Sequence, residues 1–261
     1  MAFGHWQIGL HIQQDSVVGV ALTPGRAGWS LRRWWQMELP TGTMDNGQLR
    51  VPQHLLTTLA PWRKTLPQRH SIRLAFPAAR TLQKRVPQPA MKLRENELAH
   101  WLSHSLAREL EMTAADLHFD YVEDTLSPTY SVTAAQHKEV AELLTLAKSL
   151  QLNVSAVTPD ASALQQLIPF LKPPGRCLIW QDESQWLWAT RAAWGRQSCE
   201  EVSSPLLLAS RLGVSESEVV LCSDEESGFD PWQAVAQRHP PLPAQGARFA
   251  VAIGLALGHH L

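Results

Sequence analysis

His100 and His104 are the residues of this sequence whose type and spacing most directly suggest chemistry. They stand four positions apart, with Glu97 three positions before His100, in a segment that has helical periodicity. Imidazole and carboxylate ligands at this spacing can hold a metal ion on one face of a helix. The three residues point away from the apolar stripe that includes Leu98 and Leu102, and no further ligand is indicated nearby. We therefore interpret them as a solvated polar face and expect no metal site.

Other patterns that indicate catalysis do not occur in the sequence. There is no GxSxG nucleophile elbow, no GxxxxGK[ST] phosphate-binding loop and no GxGxxG dinucleotide turn. Cys177, Cys199 and Cys222 are far apart and form no CxxC pair, so they indicate neither a zinc site nor a disulfide framework. The residues alone give no positive indication of an enzyme.

The charges are balanced in total and uneven along the chain. The net charge is -1, which argues against nucleic acid as the main ligand. Residues 46–94 contain ten Lys or Arg and no acid, whereas residues 95–124 contain eight acids and one base, and residues 182–230 contain ten acids and three Arg. Either these segments face each other across the fold, or the basic segment faces anionic lipid or an acidic partner.

Neither a secretion signal nor a membrane span is indicated. Met1 to Gln14 lacks the basic start, apolar core and cleavage site of a signal peptide. The longest apolar run, Phe249 to Leu257, is too short to cross a bilayer. We therefore expect a soluble cytoplasmic protein.

The hydrophobic pattern predicts an α/β protein. Three strands in succession, over 6–12, 16–22 and 29–39, predict an antiparallel meander. Helical periodicity predicts helices over 51–66, 95–111 and 137–150, the last with Val140, Leu143, Leu144 and Ala147 facing inward. Thr158 and Pro159 are predicted to cap and begin a further helix, and Arg248 to Leu257 is predicted to be a buried helix.

Six segments in order resemble the PilM family of type IV pilus assembly proteins, and most closely its HofM branch, which is named for DNA utilisation. The segments are Ile8-Gly9-Leu10-His11-Ile12 with Ser16-Val17-Val18, Leu74-Ala75-Phe76-Pro77 with Val86-Pro87, Phe119-Asp120-Tyr121, Val132-Thr133-Ala134-Ala135, Thr158 to Leu164, and Phe249 to Leu257. The likeness covers nearly the whole chain.

This resemblance implies an actin-like ATPase (ribonuclease H-like) fold with an inserted FtsA-like subdomain and a reduced second lobe. We place the first lobe over 1–170, with the inserted subdomain at about 80–135, a Pro-containing linker over 171–175 and the second lobe over 176–261. The second lobe, at this length, is short for the fold.

The resemblance also implies a partner. Members of the family are cytoplasmic and are recruited to the inner membrane by a bitopic, PilN-like protein, whose N-terminal peptide docks between the first lobe and the inserted subdomain. Such a peptide lies extended in a groove and is held by main-chain hydrogen bonds and apolar pockets. We assign the groove in this chain to Phe76, Arg80, Phe119, Asp120 and Tyr121.

The chain departs from the nucleotide-binding relatives at the turn that would hold phosphate. His11 stands in place of an acid, Gln13 in place of Gly and Val18 in place of Lys, so the groups that organise Mg²⁺, admit phosphate and pair its charge are missing. Together with Asp15 we regard them as the remnant of a nucleotide site. The second hairpin, Trp180 to Ser184, lacks Gly and carries an extra acid, Glu183.

These departures predict a non-catalytic adaptor of a type IV pilus-like assembly or DNA-uptake machine, with no cofactor. One alternative is an ATP-binding conformational switch of the same machine, in which Asp15 replaces a ligand of ATP and Mg²⁺. A second is a direct DNA binder that uses the basic stretch over 46–94; the same stretch could instead face an anionic membrane. The oligomeric state, and whether the machine serves pili, secretion or DNA uptake, stay open.

Overall fold

The computed structural model describes residues 5–124, 127–182 and 184–258. The chain forms two compact units. One contains the residues up to Ala79 together with those from Ala147 onward, and the other contains Arg80–Leu146. The second unit begins where we predict the inserted subdomain to begin, and it extends beyond the predicted end at about residue 135.

Fourteen strands and six α-helices make up the described chain, with short 3₁₀ helices between them. The strands are β1 (Trp6–Ile12), β2 (Ser16–Gly25), β3 (Gly28–Glu38), β4 (Met44–Asp45), β5 (Gln48–Leu49), β6 (His70–Phe76), β7 (Thr81–Pro87), β8 (Leu117–Glu123), β9 (Thr129–Gln136), β10 (Val154–Pro159), β11 (Cys177–Gln181), β12 (Gln185–Ala189), β13 (Trp194–Ser198) and β14 (Val219–Cys222). The α-helices are α1 (Pro52–Arg63), α2 (Glu95–Glu109), α3 (His137–Ser149), α4 (Asp160–Ala163), α5 (Pro205–Leu212) and α6 (Ala250–Leu257).

The first sheet has the order β10-β6-β1-β2-β3. Strands β1, β2 and β3 form the predicted antiparallel meander, because short turns allow consecutive strands to pair directly. Strands β6 and β10 run parallel to β1, and each is reached by a longer crossover. The carboxyl ends of β1, β6 and β10 therefore share one edge of the sheet, and their amino ends share the opposite edge.

The second sheet repeats this arrangement with one strand fewer. Its order is β13-β12-β11-β14, in which β11, β12 and β13 are antiparallel and β14 is parallel to β11. Two halves with the same strand order define the actin-like fold, and the four-stranded sheet is its reduced second lobe. The predicted linker over 171–175 falls between the 3₁₀ helix Leu164–Phe170 and β11.

Helix α6 fills the core beside the first sheet. All eight of its residues are buried, as the all-round apolar pattern predicts. The helix lies so close to β1 that a Cβ on Gly9 would stand 2.0 Å from the carbonyl oxygen of Ala252. After the helix, the carbonyl oxygen of Gly258 accepts a hydrogen bond from Nε2 of Gln7. The last described residues are therefore bound to the first strand.

The unit Arg80–Leu146 has its own small core. Its three-stranded sheet has the order β7-β9-β8, and α2 packs on one face. Leu102 and Leu106 of α2 are fully buried against Val132 of β9. His100 and His104 lie exposed on this helix, 3.1 Å apart between their Nε2 atoms, on its solvent side as predicted.

Two local predictions were wrong. Thr158 and Pro159 belong to β10, and α4 begins at Asp160, because both residues continue the ladder with β6. In α3, Leu144 is 37% exposed and Leu146 is buried instead. Val140 and Ala147 are buried as predicted. Three leucines within four positions left open which of them face inward.

Candidate functional site

A cleft with a cavity of about 440 Å³ opens beside the carboxyl ends of β1, β11 and β14. Four segments line it: the turn after β1, the end of β11, the end of β14 and the segment that precedes α6. The lining residues are Gln13, Gln14, Asp15, Trp180, Gln181, Asp182, Leu221, Cys222, Ser223, Asp224, Gln245, Ala247 and Arg248. The predicted remnant contributes Gln13 and Asp15 to this wall.

Gln13 is bound to Arg248 at both ends of its side-chain amide. Its Nε2 donates to the carbonyl oxygen of Arg248 at 3.0 Å, and its Oε1 accepts from Nε of Arg248 at 2.9 Å. Oε1 also accepts from the hydroxyl of Ser16 at 3.2 Å. The turn after β1 is thus closed by a side chain at the position where a phosphate-binding relative would have glycine.

Asp15 completes this network. Nη2 of Arg248 donates to Oδ1 of Asp15, and the two side chains form an ion pair. Partial burial opposes ionisation of Asp15, but hydrogen bonds from Arg248 and Ser16 hold its pKa below the usual value. The guanidinium that an anionic ligand in the cleft would use is therefore occupied by a carboxylate of the protein.

His11 and Val18 stand behind the wall and do not line the cavity. His11 is 5% exposed, and its ring meets Trp180 edge to face, with centroids 5.7 Å apart. Burial, assisted by the charge of Arg248, lowers the pKa of His11 to about 3, so the imidazole is neutral at physiological pH. Val18 is fully buried in the core. Neither residue can pair a phosphate charge.

The turn after β11 supplies a second carboxylate. Oδ1 of Asp182 accepts from the backbone N–H groups of Ser184 and Gln185, at 2.8 and 2.7 Å. Burial nevertheless raises the pKa of Asp182. These N–H groups point at the protein's own carboxylate, so they do not cradle a phosphate. Glu183, the extra acid of this turn, lies outside the described residues.

Asp160 is a third acid behind the cleft. It is buried, and Oδ1 accepts from the N–H groups of Ala78 and Ala161 at 2.9 and 2.6 Å. Burial raises its pKa to about 7 against these hydrogen bonds, with a contribution from the charge of Asp182. Ala78 begins the short 3₁₀ helix Ala78–Arg80, so Asp160 anchors the segment that leads into the second compact unit.

The residues assigned to the peptide groove occupy both compact units. Phe76 ends β6 and is 5% exposed. In the second unit, Arg80 forms a two-point ion pair with Glu139, while Phe119 and Tyr121 are half-buried against the small core.

Asp120 lies between these two aromatic residues on β8 and is exposed. Its Oδ1 accepts from the N–H of Tyr121 at 2.8 Å. Alternation along β8 brings Phe119 and Tyr121 to one face of the sheet, with their rings 6.5 Å apart. The assignment of a groove to these residues stays a prediction.

Sequence reasoning missed Arg248, which lines the cleft, and Asp160, which lies behind it. Arg248 is the one charged residue at the start of the final apolar run, and that isolation was the available signal. Asp160 follows a Pro at the end of a strand, and its position is typical of an acid in the first turn of a helix. Their contacts join distant parts of the chain, which spacing does not reveal.

Metal clusters and membrane-spanning helices are both absent from the described ranges. No group of three or more His, Cys, Asp or Glu side chains there is arranged to hold a metal ion. Nor does any helix in that part of the chain have the length and apolar character needed to cross a bilayer.

The repeated strand order and the cleft define an actin-like protein. A family model described as "Type II secretion system (T2SS), protein L" matches residues 45–245. The chain is also 53% identical, over 258 residues that cover 99% of both chains, to the DNA utilization protein HofM of Escherichia coli strain K12. It therefore belongs to the type II secretion system protein L family, on the HofM branch that the sequence motifs resemble.

Two solved structures share the fold. The structure of a PilM-PilN type IV pilus biogenesis complex superposes with a TM-score of 0.69 at 16% identity, covering 96% of this chain and 97% of that one. The cytoplasmic domain of EpsL, an inner membrane component of the type II secretion system of Vibrio cholerae, gives a TM-score of 0.61 at 14% identity, covering 97% and 95%. These likenesses are of fold.

Proposed function

We propose that this protein is a non-catalytic adaptor of a type IV pilus-like assembly or DNA-uptake machine. In this role it binds the N-terminal cytoplasmic peptide of a PilN-like inner-membrane protein and does not hydrolyse nucleotide. It works in the cytoplasm, at the inner membrane, through that partner.

The observation that carries the non-catalytic part is the network of Gln13, Asp15 and Arg248. An ATP phosphate entering the cleft would have to displace the Asp15 carboxylate from Arg248 and the Gln13 amide from the turn. It would also approach Asp182, and the described residues that line the cleft include no second cation to balance the charge. Like charges in a site of this kind oppose binding. The geometry supports a cleft held by the protein's own side chains.

The relatives support the partner. PilM forms a type IV pilus biogenesis complex with PilN, and EpsL is an inner membrane component of its secretion system. By analogy we assign this chain a bitopic inner-membrane partner whose short cytoplasmic segment it holds. Phe76, Arg80, Phe119, Asp120 and Tyr121 are the residues we propose for the peptide groove.

Titration calorimetry tests both parts of the proposal. The purified protein is titrated first with ATP and Mg²⁺ and then with the cytoplasmic N-terminal peptide of a PilN-like bitopic protein from the same organism. We expect heat from the peptide, with a dissociation constant of about 1–100 μM, and none from ATP. A scrambled peptide of the same composition is the control. Absence of binding by the native peptide would remove the adaptor assignment.

Variants on strand β8 localise the peptide. Tyr121→Ala is expected to weaken peptide binding about tenfold, because it removes an aromatic contact of the proposed groove. Val122→Ala is the matched control, since Val122 is 69% exposed on the opposite face of the same strand. Equal affinities of the two variants would place the groove elsewhere.

The second candidate is an ATP-binding switch, which the existence of the cavity favours. A volume of about 440 Å³ beside Asp15 and Asp182 could accept a ligand after rearrangement of Arg248. If ATP binding produces heat in the same experiment and Arg248→Ala abolishes that heat, the ATP-binding switch becomes the first candidate, ahead of the non-catalytic adaptor.

A further inference from the structure

Four basic residues lie at one edge of the first sheet, and we call this group the basic corner. It consists of Arg63, Lys64, Arg69 and Lys148. Lys64, Arg69 and Lys148 are exposed, and Arg63 is half-buried. The corner lies at the amino ends of β1, β6 and β10, and so at the edge opposite the cleft.

The fold brings these residues together from separate parts of the chain. Nε of Arg63, at the end of α1, donates to the carbonyl oxygen of Gln151 at 3.1 Å. The N–H of Gln151 donates to the carbonyl oxygen of Lys148 at the end of α3. The carbonyl oxygen of Arg69 accepts from the N–H of Trp6, where β1 begins. Lys148 is thus added to the corner by the fold, although it lies outside the basic stretch over 46–94.

The charges of the corner are not neutralised within the described chain. None of its four bases forms an ion pair with a described carboxylate, and residues 61–70 and 145–155 contain no acid. Burial lowers the pKa of the neighbouring His70, and the nearby charge of Arg63 acts in the same direction.

Other bases of the stretch over 46–94 behave differently. Three of them are paired, as Arg50 with Asp45, Arg80 with Glu139 and Lys84 with Glu109. Neither of the two interpretations of the charge pattern therefore fits the whole stretch. Part of it is balanced locally, and the corner is left as a concentrated positive surface.

Stabilisation of helix ends explains the position of only some of the basic residues in the corner. Arg63 and Lys148 lie in the last turns of α1 and α3, where a positive charge offsets the helix dipole. Arg69 lies on the loop before β6 and has no such role. The clustering is thus more than the sum of two helix ends.

We propose that the basic corner binds the surface of a membrane that contains anionic phospholipid. Lys and Arg side chains are attracted to such a surface without a shaped pocket or a fixed geometry. Half-buried Trp6 beside the corner has the amphipathic ring that lies at the level of lipid headgroups. The net charge of -1 for the whole chain does not favour a nucleic acid duplex as the occupant. This proposal is independent of the adaptor role.

The strength expected of this contact is modest. Each base near an anionic leaflet raises partitioning about fivefold, and the effect falls off within a Debye length. The corner would therefore hold the protein weakly by itself and orient it when a membrane partner adds a second contact.

Co-sedimentation of the whole protein with vesicles tests the proposal. Vesicles of phosphatidylcholine are compared with vesicles that also contain phosphatidylglycerol, at low and at high salt. We expect sedimentation that requires phosphatidylglycerol and is lost at high salt. In the triple variant Lys64→Glu, Arg69→Glu and Lys148→Glu, which leaves the Arg63 hydrogen bond in place, the partition coefficient is expected to fall at least about tenfold.

A control variant carries the same change of charge elsewhere. Arg26→Glu, Lys92→Glu and Arg191→Glu alter three exposed bases outside the corner, and this variant should sediment like the unaltered protein. Equal loss in both triple variants would overturn the proposal, as would a failure of the unaltered protein to bind phosphatidylglycerol vesicles. Stronger retention on duplex DNA than on these vesicles at the same salt would also overturn it.

Discussion

Arg248 and Asp15, which are 233 positions apart in sequence, form an ion pair across the mouth of the cleft. Nε of the same guanidinium donates a hydrogen bond to Oε1 of Gln13. One turn at the start of the chain and one turn before the last helix are thereby joined. The turn that holds Asp15 is the one that the resemblance to the PilM family marks as a phosphate hairpin.

Removal of the arginine side chain should weaken the fold measurably. Arg248→Ala leaves Asp15 without its ion-pair partner and removes one of the hydrogen bonds of the Gln13 amide, so we expect the free energy of unfolding to fall by about 1–3 kcal/mol. Urea denaturation measures this loss. Arg238→Ala is the control, because Arg238 is 3.9 Å from Asp230 at an exposed position and such pairs contribute about 0–1 kcal/mol. Equal losses would mean that the cleft network adds nothing to stability.

Gly9 should not accept a side chain. A Cβ there would lie 2.0 Å from the carbonyl oxygen of Ala252 and 2.8 Å from the nitrogen of Ala256, so Gly9→Ala must push α6 away from β1. We expect a loss of about 3 kcal/mol or more in the free energy of unfolding, at the upper end for overpacking.

Gly19→Ala provides the comparison on the paired strand. Its nearest contacts would be side-chain atoms of Leu10 and Trp35, each at 3.3 Å, which can shift slightly. Its melting temperature should stay much closer to that of the unaltered protein. A Gly9→Ala protein as stable as Gly19→Ala would contradict the close approach of helix and strand.

The pH dependence of stability should include a contribution from Asp160. Its pKa rises from 3.8 to about 7 on folding, so the folded protein holds this proton more tightly than the unfolded chain. The corresponding stability is present at acidic pH and is lost as the pH rises from about 4 to about 7.

Asp160→Asn removes this titration. Relative to the unaltered protein, the variant should gain stability between about pH 5 and about pH 8, by at most about 3 kcal/mol, which is the equivalent of the roughly two pKa units between pH 5 and the folded pKa. Denaturation curves at the two pH values measure the gain. A difference between the two proteins that does not change with pH would contradict the raised pKa of Asp160.

Phe119 is expected to act in the core of the second unit. It is half-buried against the cluster around Leu102 and Val132, so Phe119→Ala should cost about 2 kcal/mol, less than full burial would. Val122→Ala, three positions along the same strand, should change stability by no more than about 0.5 kcal/mol. Limited proteolysis within Arg80–Leu146 gives an independent measurement. If the Phe119 variant were as resistant to proteolysis as the Val122 variant, the Phe119 side chain would not stabilise this core.

Local pattern was sufficient for most of the elements. The meander β1–β3 and the buried helix α6 follow from alternation and from a continuous apolar run, which are properties of neighbouring residues. The prediction for Thr158 and Pro159 was wrong because two opposing tendencies act on these residues. Their side chains suit a helix start, but pairing with β6 keeps them in the strand.

The cleft was only partly predictable from the sequence. Gln13 and Asp15 were identified because the resemblance marked their turn as a phosphate hairpin. Arg248 and Asp160 could not be connected to that turn, because their partners are set by the packing of distant segments. The basic corner was hidden for the same reason, since Lys148 joins it only in three dimensions.

The bond between Gln7 and Gly258 spans 251 positions of sequence. A ribosome produces β1 well before α6, so the face of β1 that α6 covers stays uncovered while the intervening segments are synthesised. Contacts of such long sequence separation also slow folding after synthesis. The nascent chain therefore exposes an apolar first strand until α6 has emerged, and the core of the first lobe is completed only then.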